Sequence, residues 1–216
     1  MNDNALAVMV KAPVPGSVKT RLVPPLTIEQ AARLYECLVK DTFASIAAIK
    51  GVDIYAAYLG PLDAISGMVP QWAVPIAQRG DGLGERMYDI LRRLFERGYA
   101  RCAVVGSDLP DLPARYVEEA FAMIDGDVRL ALGPATDGGY YLVACDGPYE
   151  PIFTSIRYST PTVLQETIAK ARENNIKCAL VSPWHDIDYA GDLPRLQSNP
   201  RAPLSSAYME TLDILL

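Results

Sequence analysis

The chain has 216 residues, half of them apolar, with 26 acidic and 20 basic side chains and a formal charge of −6. That suffices for one sizeable α/β domain or two small ones, and without a Lys/Arg cluster the acidic balance argues against a nucleic-acid partner and for small-molecule ligands. The four cysteines, Cys37, Cys102, Cys145 and Cys178, lie far apart in or beside apolar runs, so buried free thiols in a reducing cytoplasm are expected rather than a zinc site.

The chain opens on Met1-Asn2-Asp3-Asn4, which lacks the cationic region of a signal peptide, and no apolar run reaches the length of a membrane span. A cytoplasmic protein with no membrane partner is expected. Ala5 to Val10 reads as a strand. It feeds a loop from Lys11 to Leu22 in which Pro13 and Pro15 exclude a helix and Pro15-Gly16 marks a turn. Lys11, Lys19 and Arg21 concentrate positive charge there, and Gly16 lets the backbone approach a ligand. A basic loop after a first strand suits a polyphosphate, although neither G-x-x-x-x-G-K-[ST] nor G-x-G-x-x-G is present. A solvated basic loop is the plainer reading.

Thr27 and Gln30 form a capping box. Ile28, Ala31, Leu34, Tyr35, Leu38, Phe43 and Ile46 recur at helical spacing, predicting a helix to about Lys50 whose stripe packs into the core. Val52 to Leu59 and Ala73 to Gln78 are strands. The turn Gly80-Asp81-Gly82-Leu83-Gly84 enters a helix running to about Arg97. Its glycines either shape the turn or touch a nucleoside or acceptor, and Asp81 and Glu85 oppose a phosphate there.

Cys102 to Val105 reads as a strand buried on both faces. It is followed by Gly106-Ser107-Asp108-Leu109-Pro110. Ligands of open α/β sheets bind at the carboxyl ends of strands, so Asp108 is placed to hold a metal, with Asp111 the better cap for the helix opened by Pro113. After a strand at Val128 to Leu132, Asp137-Gly138-Gly139 precedes the strand Tyr140 to Ala144. This is a hairpin turn, the floor of an acceptor pocket, or both. Thr160-Pro161 starts a further helix, with proline at its first position, to Arg172. The strand Cys178 to Val181 leads to Asp186 and Asp188, which in an extended segment point the same way. Either could meet Asp108 across a metal, and Asp188 could also cap a short helix starting at Tyr189. Arg201 to Leu216 reads as a closing amphipathic helix. Strands alternating with helices predict one α/β domain over residues 1–216 with a mostly parallel sheet.

With these motifs in hand, the sequence resembles the nucleotide-diphospho-sugar transferase superfamily, of GT-A-like fold, nearly end to end. It is most similar to the bacterial selenodomain-associated transferases, often labelled glycosyltransferases. Lys11-x-Pro13-x-Pro15-Gly16-x-Val18-Lys19-Thr20-Arg21-Leu22 is the most specific piece, joined by Gly80 to Met87, Gly106-Ser107-Asp108-x-Pro110 and Asp137-Gly138-Gly139-Tyr140-Tyr141. The first loop also resembles that of phospholactate guanylyltransferase and of the molybdenum-cofactor guanylyl- and cytidylyltransferases. The closing motif of such enzymes reads Asp-Thr-Pro-Glu-Asp, whereas Asp188-Tyr189-Ala190-Gly191-Asp192 stands here.

The resemblance implies a three-layer α/β/α domain with a mixed sheet. It implies Mg²⁺-dependent (or Mn²⁺-dependent) nucleotidyl transfer from a nucleoside triphosphate to a small phosphorylated or hydroxyl acceptor, with pyrophosphate release. Glycosyl transfer from a nucleotide sugar is the alternative, and a non-catalytic nucleotide-binding module the second. Lys19, Arg21 and Asp108 are the expected catalytic residues. Lys11, Pro15, Gly16, Gly82, Gly84 and Ser107 would bind the nucleotide, with Lys19 and Arg21. Asp137, Gly138, Gly139 and Tyr140 would bind the acceptor, and Asp108 and Asp188 the metal. A homodimer is compatible with the chain; the base and the acceptor are not specified.

Overall fold

The computed structural model describes residues 2–212 and Ile214. A seven-stranded sheet runs through it in the order β3-β2-β1-β4-β6-β5-β7. The strands are β1 (Asn4–Lys11), β2 (Val52–Leu59), β3 (Val74–Ala77), β4 (Arg101–Val105), β5 (Leu130–Pro134), β6 (Tyr140–Cys145) and β7 (Cys178–Leu180). All neighbours pair parallel except β6, which runs antiparallel to both β4 and β5. The helices are α1 (Ile28–Ile46), α2 (Leu83–Glu96), α3 (Ala114–Met123), α4 (Pro151–Thr154), α5 (Val163–Glu173) and α6 (Pro203–Glu210).

Strand alternation builds the layers. Leu6, Val8 and Val10 of β1 face α1 and α3, while Ala5 and Ala7 face α2, α4 and α5. Both faces of the sheet are thus covered, which is why the central strands read as unbroken apolar runs. A third apolar cluster lies on the outer side of α1, where Ala31, Leu34 and Leu38 meet Ile187, Leu193, Leu196 and Met209. It pulls the C-terminal segment back across the molecule.

The strand expectations match the observed elements to within two residues at either end. Four helix details differ. The Thr27–Gln30 capping box is present, but α1 stops at Ile46 and the chain turns through Gly51 at φ 72°. Pro113 precedes α3 as its capping residue, and Asp111 does not cap it; that carboxylate accepts from Asn199 Nδ2 instead. Helix α5 begins at Val163, two residues beyond Pro161, with no proline at its first position. The closing helix is shorter than expected, Pro203–Glu210; Met1, Asp213, Leu215 and Leu216, which the terminal expectations included, lie outside the described residues.

Because β1 and β4 are parallel with Val8 opposite Val105, the loops after them leave the sheet side by side. Strand β5, parallel to β4 through two antiparallel steps, turns at residues 135–139 on the same edge, and so does the segment after β7. Four loops far apart in sequence therefore share one rim.

Candidate functional site

The first loop turns where Ser17 N–H donates to the Val14 carbonyl (2.9 Å), with Gly16 at φ 78°. That is the signature of a type II turn with Pro15 and Gly16 in its centre. A Cβ on Gly16 would meet nothing within 4 Å, so this glycine serves the turn and not a close approach. Beyond it, Lys19 adopts φ 49°, an uncommon conformation for a side chain of this size. It leads into a 3₁₀ turn, Thr20–Leu22, whose Leu22 is buried in the third cluster.

This backbone sends the Lys19 side chain inward, where only 5% of it is exposed. Its ammonium donates to Asp108 at 2.5 Å and to Asp188 at 3.4 Å. Burial works against the charge, but Asp108 and Asp188 outweigh it and raise the Lys19 pKa. Arg21 donates to Asp188 at 2.6 Å, and its guanidinium lies over the Tyr189 ring at 5.1 Å. Burial alone would raise the Asp188 pKa; Lys19 and then Arg21 bring it below the usual range. The two basic residues and the two acids expected to work together thus form one linked group.

Two further contacts set the positions of the acids. Ile187 N–H donates to the Asp108 carbonyl at 3.1 Å, locking the C-terminal segment onto the β4 loop. The short 3₁₀ helix Ala190–Leu196 is not capped by Asp188. Asp192 accepts from the Asp188 and Tyr189 N–H groups instead (3.1 and 2.8 Å), leaving the Asp188 carboxylate to Lys19 and Arg21.

Ser107 is buried and shares a hydrogen bond with the Tyr35 hydroxyl (3.0 Å), which also accepts from Lys11 N–H (2.9 Å). Two turns further along α1, Thr42 Oγ1 lies 3.2 Å from the Ser107 carbonyl and accepts from Leu109 N–H. Tyr35 is therefore more than core packing. It and Thr42 pin both loops, and the signal was available as two polar residues seven apart on an otherwise apolar stripe.

Two adjoining cavities share Arg21, Leu83, Gly106 and Asp108. One, of about 380 Å³, is walled by Lys11, Lys19, Arg21, Ser107 and Asp188. The other, of about 230 Å³, reaches Asp137, Gly139, Tyr140 and Asp186. Burial, with the Asp108 charge beside it, pushes the Asp186 carboxyl up to about 6. Tyr158, which lines the smaller cavity and shares a hydrogen bond with Tyr140, was not signalled by any motif.

The glycines of the turn before α2 lie beside the two cavities rather than in their walls. Leu83 lines both cavities, but Gly82 and Gly84 line neither. Gly84 is buried where a Cβ would stand 2.1 Å from the Phe153 carbonyl, so it permits α2 to pack on α4. The Glu85 carboxylate accepts from the Asp81 and Gly82 N–H groups, satisfying the helix end internally. Pro15, Gly16 and Gly138 also stand outside the cavity walls; a Cβ on Gly138 would meet the Pro161 carbonyl at 2.1 Å.

Asp108 and Asp188 offer the hard oxygen donors that Mg²⁺ takes, in the number it takes when substrate phosphates complete its shell. No group of three or more His, Cys, Asp or Glu side chains among the described residues forms a full cage. Asp108 and Asp188 are two such donors, and the Lys19 ammonium bridges them.

The sequence profile of a bacterial family, described as "Uncharacterized protein conserved in bacteria (DUF2064)", matches residues 42–160. The chain belongs to DUF2064. No curated protein matches it. Among solved structures, it is similar to a candidate nucleotide-diphospho-sugar transferase from Desulfovibrio desulfuricans G20, with 30% identity, 99% of this chain and 100% of that chain covered, and a TM-score of 0.84. A cytidylyltransferase from Leptospira borgpetersenii serovar Hardjo-bovis shares the fold at 8% identity, with 98% and 94% covered and a TM-score of 0.62. So does glucosyl-3-phosphoglycerate synthase from Mycobacterium tuberculosis, solved with Mn²⁺ and UDP, at 10% identity, with 97% and 79% covered and a TM-score of 0.54. This DUF2064 chain thus has the nucleotide-diphospho-sugar transferase fold, on which both nucleotidyl and glycosyl transferases are built. No helix among its described residues is long and apolar enough to cross a membrane.

Proposed function

We propose that the protein transfers a nucleotidyl group from a nucleoside triphosphate to a small phosphorylated or hydroxyl-bearing acceptor, releasing pyrophosphate. One observation carries the reading: Lys19 and Arg21 meet Asp108 and Asp188 in a single cleft, with a second cavity opening on the far side of Asp108. The narrower likeness to the selenodomain-associated transferases belongs to the same proposal.

In this reading Lys19 and Arg21 exchange carboxylate oxygens for phosphate oxygens when the triphosphate enters, and Lys11 assists at the rim. The acceptor oxygen, held beside Asp137, Gly139 and Tyr140, forms its bond to the α-phosphorus as the bond to the bridging oxygen breaks, and a hydroxyl acceptor releases its proton to solvent. Pyrophosphate leaves with that electron pair. The chain's contribution is positioning and charge neutralisation, with no covalent enzyme intermediate. Asp108 and Asp188 would hold Mg²⁺ or Mn²⁺, which supplies further neutralisation at the phosphate oxygens. The UDP and Mn²⁺ named for the mycobacterial synthase support a nucleotide and a divalent cation here.

That same synthase supports a second reading, glycosyl transfer from a nucleotide sugar, with Asp108 serving a diphosphate leaving group. A thermal-shift screen of nucleoside triphosphates and nucleotide sugars, with and without Mg²⁺, tests ligand class. A ligand at a hundred times its Kd stabilises by about 2.7 kcal/mol. Pyrophosphate release identifies the first reading, and nucleoside diphosphate release the second. Near-normal turnover of Asp108→Ala at saturating Mg²⁺ would remove both.

A further inference from the structure

The two cavities flanking Asp108 have opposite charge balance. In the larger, three cations, Lys11, Lys19 and Arg21, outnumber two carboxylates, Asp108 and Asp188. The smaller carries three carboxylates, Asp108, Asp137 and Asp186, beside the rings of Tyr140, Tyr141 and Tyr158. Its single cation, Arg21, is already paired with Asp188 at 2.6 Å.

The donors of that wall are largely committed. Gly139 N–H donates to Asp137 Oδ1 (2.9 Å), Thr160 Oγ1 to the Arg157 carbonyl (2.9 Å) and the Tyr141 hydroxyl to the Ser182 carbonyl (2.9 Å). The Tyr140 and Tyr158 hydroxyls share a hydrogen bond with each other at 3.2 Å. Against the three carboxylates, the donors left toward the cavity are few: the rest of the Arg21 guanidinium, the Ser159 hydroxyl and one proton of the tyrosine pair, beside aromatic surface. A phosphate needs N–H and O–H donors and positive charge. A compound rich in its own O–H or N–H donors needs the reverse.

We infer that the smaller cavity takes a phosphate-free acceptor, a neutral polyol or a cationic amino alcohol, whose donors meet Asp137 and Asp186 while its carbon skeleton lies on the tyrosines. This narrows the acceptor class of the transferase reading and rests on it. The charge argument survives if Asp108 is engaged by a cation, because Asp137 and Asp186 remain. One like charge at about 6 Å, at a dielectric between the protein-surface and bulk-water limits, lowers affinity roughly tenfold. An ammonium would gain from the same carboxylates and from the ring faces.

The test uses amide NMR on the full chain, with the cationic cleft first titrated with inorganic pyrophosphate and Mg²⁺. Matched probes then follow: glycerol against glycerol 3-phosphate, glucose against glucose 1-phosphate, and choline against phosphocholine. We expect the phosphate-free member of at least one pair to move the Gly139 and Tyr140 amides with roughly tenfold tighter binding than its partner. The glucose and choline arms separate a polyol from an amino alcohol. In Asp137→Asn, which keeps the acceptor for Gly139 N–H, that preference should shrink several-fold while the melting temperature holds. Tighter binding of the phosphorylated members at these amides, or no response to any probe, would overturn the inference. Pyrophosphate that leaves the Lys19 and Ser107 amides unmoved would instead overturn the transferase reading beneath it.

Discussion

Lys19, held with its backbone in the left-handed region, places its ammonium 2.5 Å from Asp108, a residue 89 positions away. The ammonium reaches Asp188 as well, at 3.4 Å, so one lysine neutralises both acids of the rim. Replacing it with methionine should lower turnover by roughly 10²–10³, the usual cost of losing a charge-stabilising donor. It also leaves two acids facing each other. Breaking a fully buried pair costs about 3–5 kcal/mol. Asp108 and Asp188 are 25% and 26% exposed, so solvent screening reduces the expected loss to about 1–2 kcal/mol. Calorimetry should show a lower Tm, and Mg²⁺ should raise the Tm of Lys19→Met more than that of the parent. Equal Mg²⁺ responses would contradict a cation site shared by the two acids.

Gly106 is a second point of control. A Cβ there would come within 2.8 Å of Asp108 Oδ1. Only the end of a side chain blocks it, so Gly106→Ala should leave stability within about 1 kcal/mol of the parent while displacing the carboxylate. Turnover should fall at least tenfold, since small misplacements of reacting groups are costly. A variant with lost stability and unchanged kcat would show the reverse relationship.

The glycines before α2 separate packing from ligand contact. Gly84→Ala drives a methyl to 2.1 Å from the backbone oxygen of Phe153, so α2 and α4 must part. Overpacking of this kind costs about 1–3 kcal/mol or more. Gly82 has φ −106° and open space around its Cβ, so Gly82→Ala should change stability by about 1 kcal/mol or less. Urea denaturation of the pair distinguishes them. A large affinity loss for Gly82→Ala with unchanged stability would restore the expected nucleotide contact.

Asp41 ties the C-terminal helix to the core. It is 1% exposed and accepts from Leu204 N–H (3.2 Å), Ser205 N–H (2.7 Å) and the Ser205 hydroxyl (2.7 Å). Asp41→Ala strands those donors in an apolar setting and should cost about 2–4 kcal/mol. Asp41→Asn, which keeps an accepting oxygen, should cost less. Urea midpoints for the two variants in that order would support the staple; indistinguishable midpoints would not.

The strands were legible because both faces of the sheet are covered, and continuous apolar runs have few other solutions. The capping box of α1 was legible because it is a purely local hydrogen-bond pair. Helix ends were less so: α1 stops short of Gly51, and Thr162, not Thr160, precedes α5 as its capping residue. Such boundaries depend on what the last turn packs against.

By itself, the sequence determined that strands and helices alternate, that cations cluster after the first strand, and that acids follow two later ones. The tertiary structure decided which of these groups meet. Parallel pairing of β1 with β4 sets their loops side by side, and the apolar cluster around Ile187 carries Asp188 back to Lys19. It also turned Asp111 from a helix cap to a hydrogen-bond acceptor for Asn199, placed Asp192 rather than Asp188 on the N–H groups before the last 3₁₀ helix, and packed Gly84 against Phe153. Charge–charge proximity and steric fit act over a few ångströms in space, whatever the separation along the chain, so no local pattern encodes them.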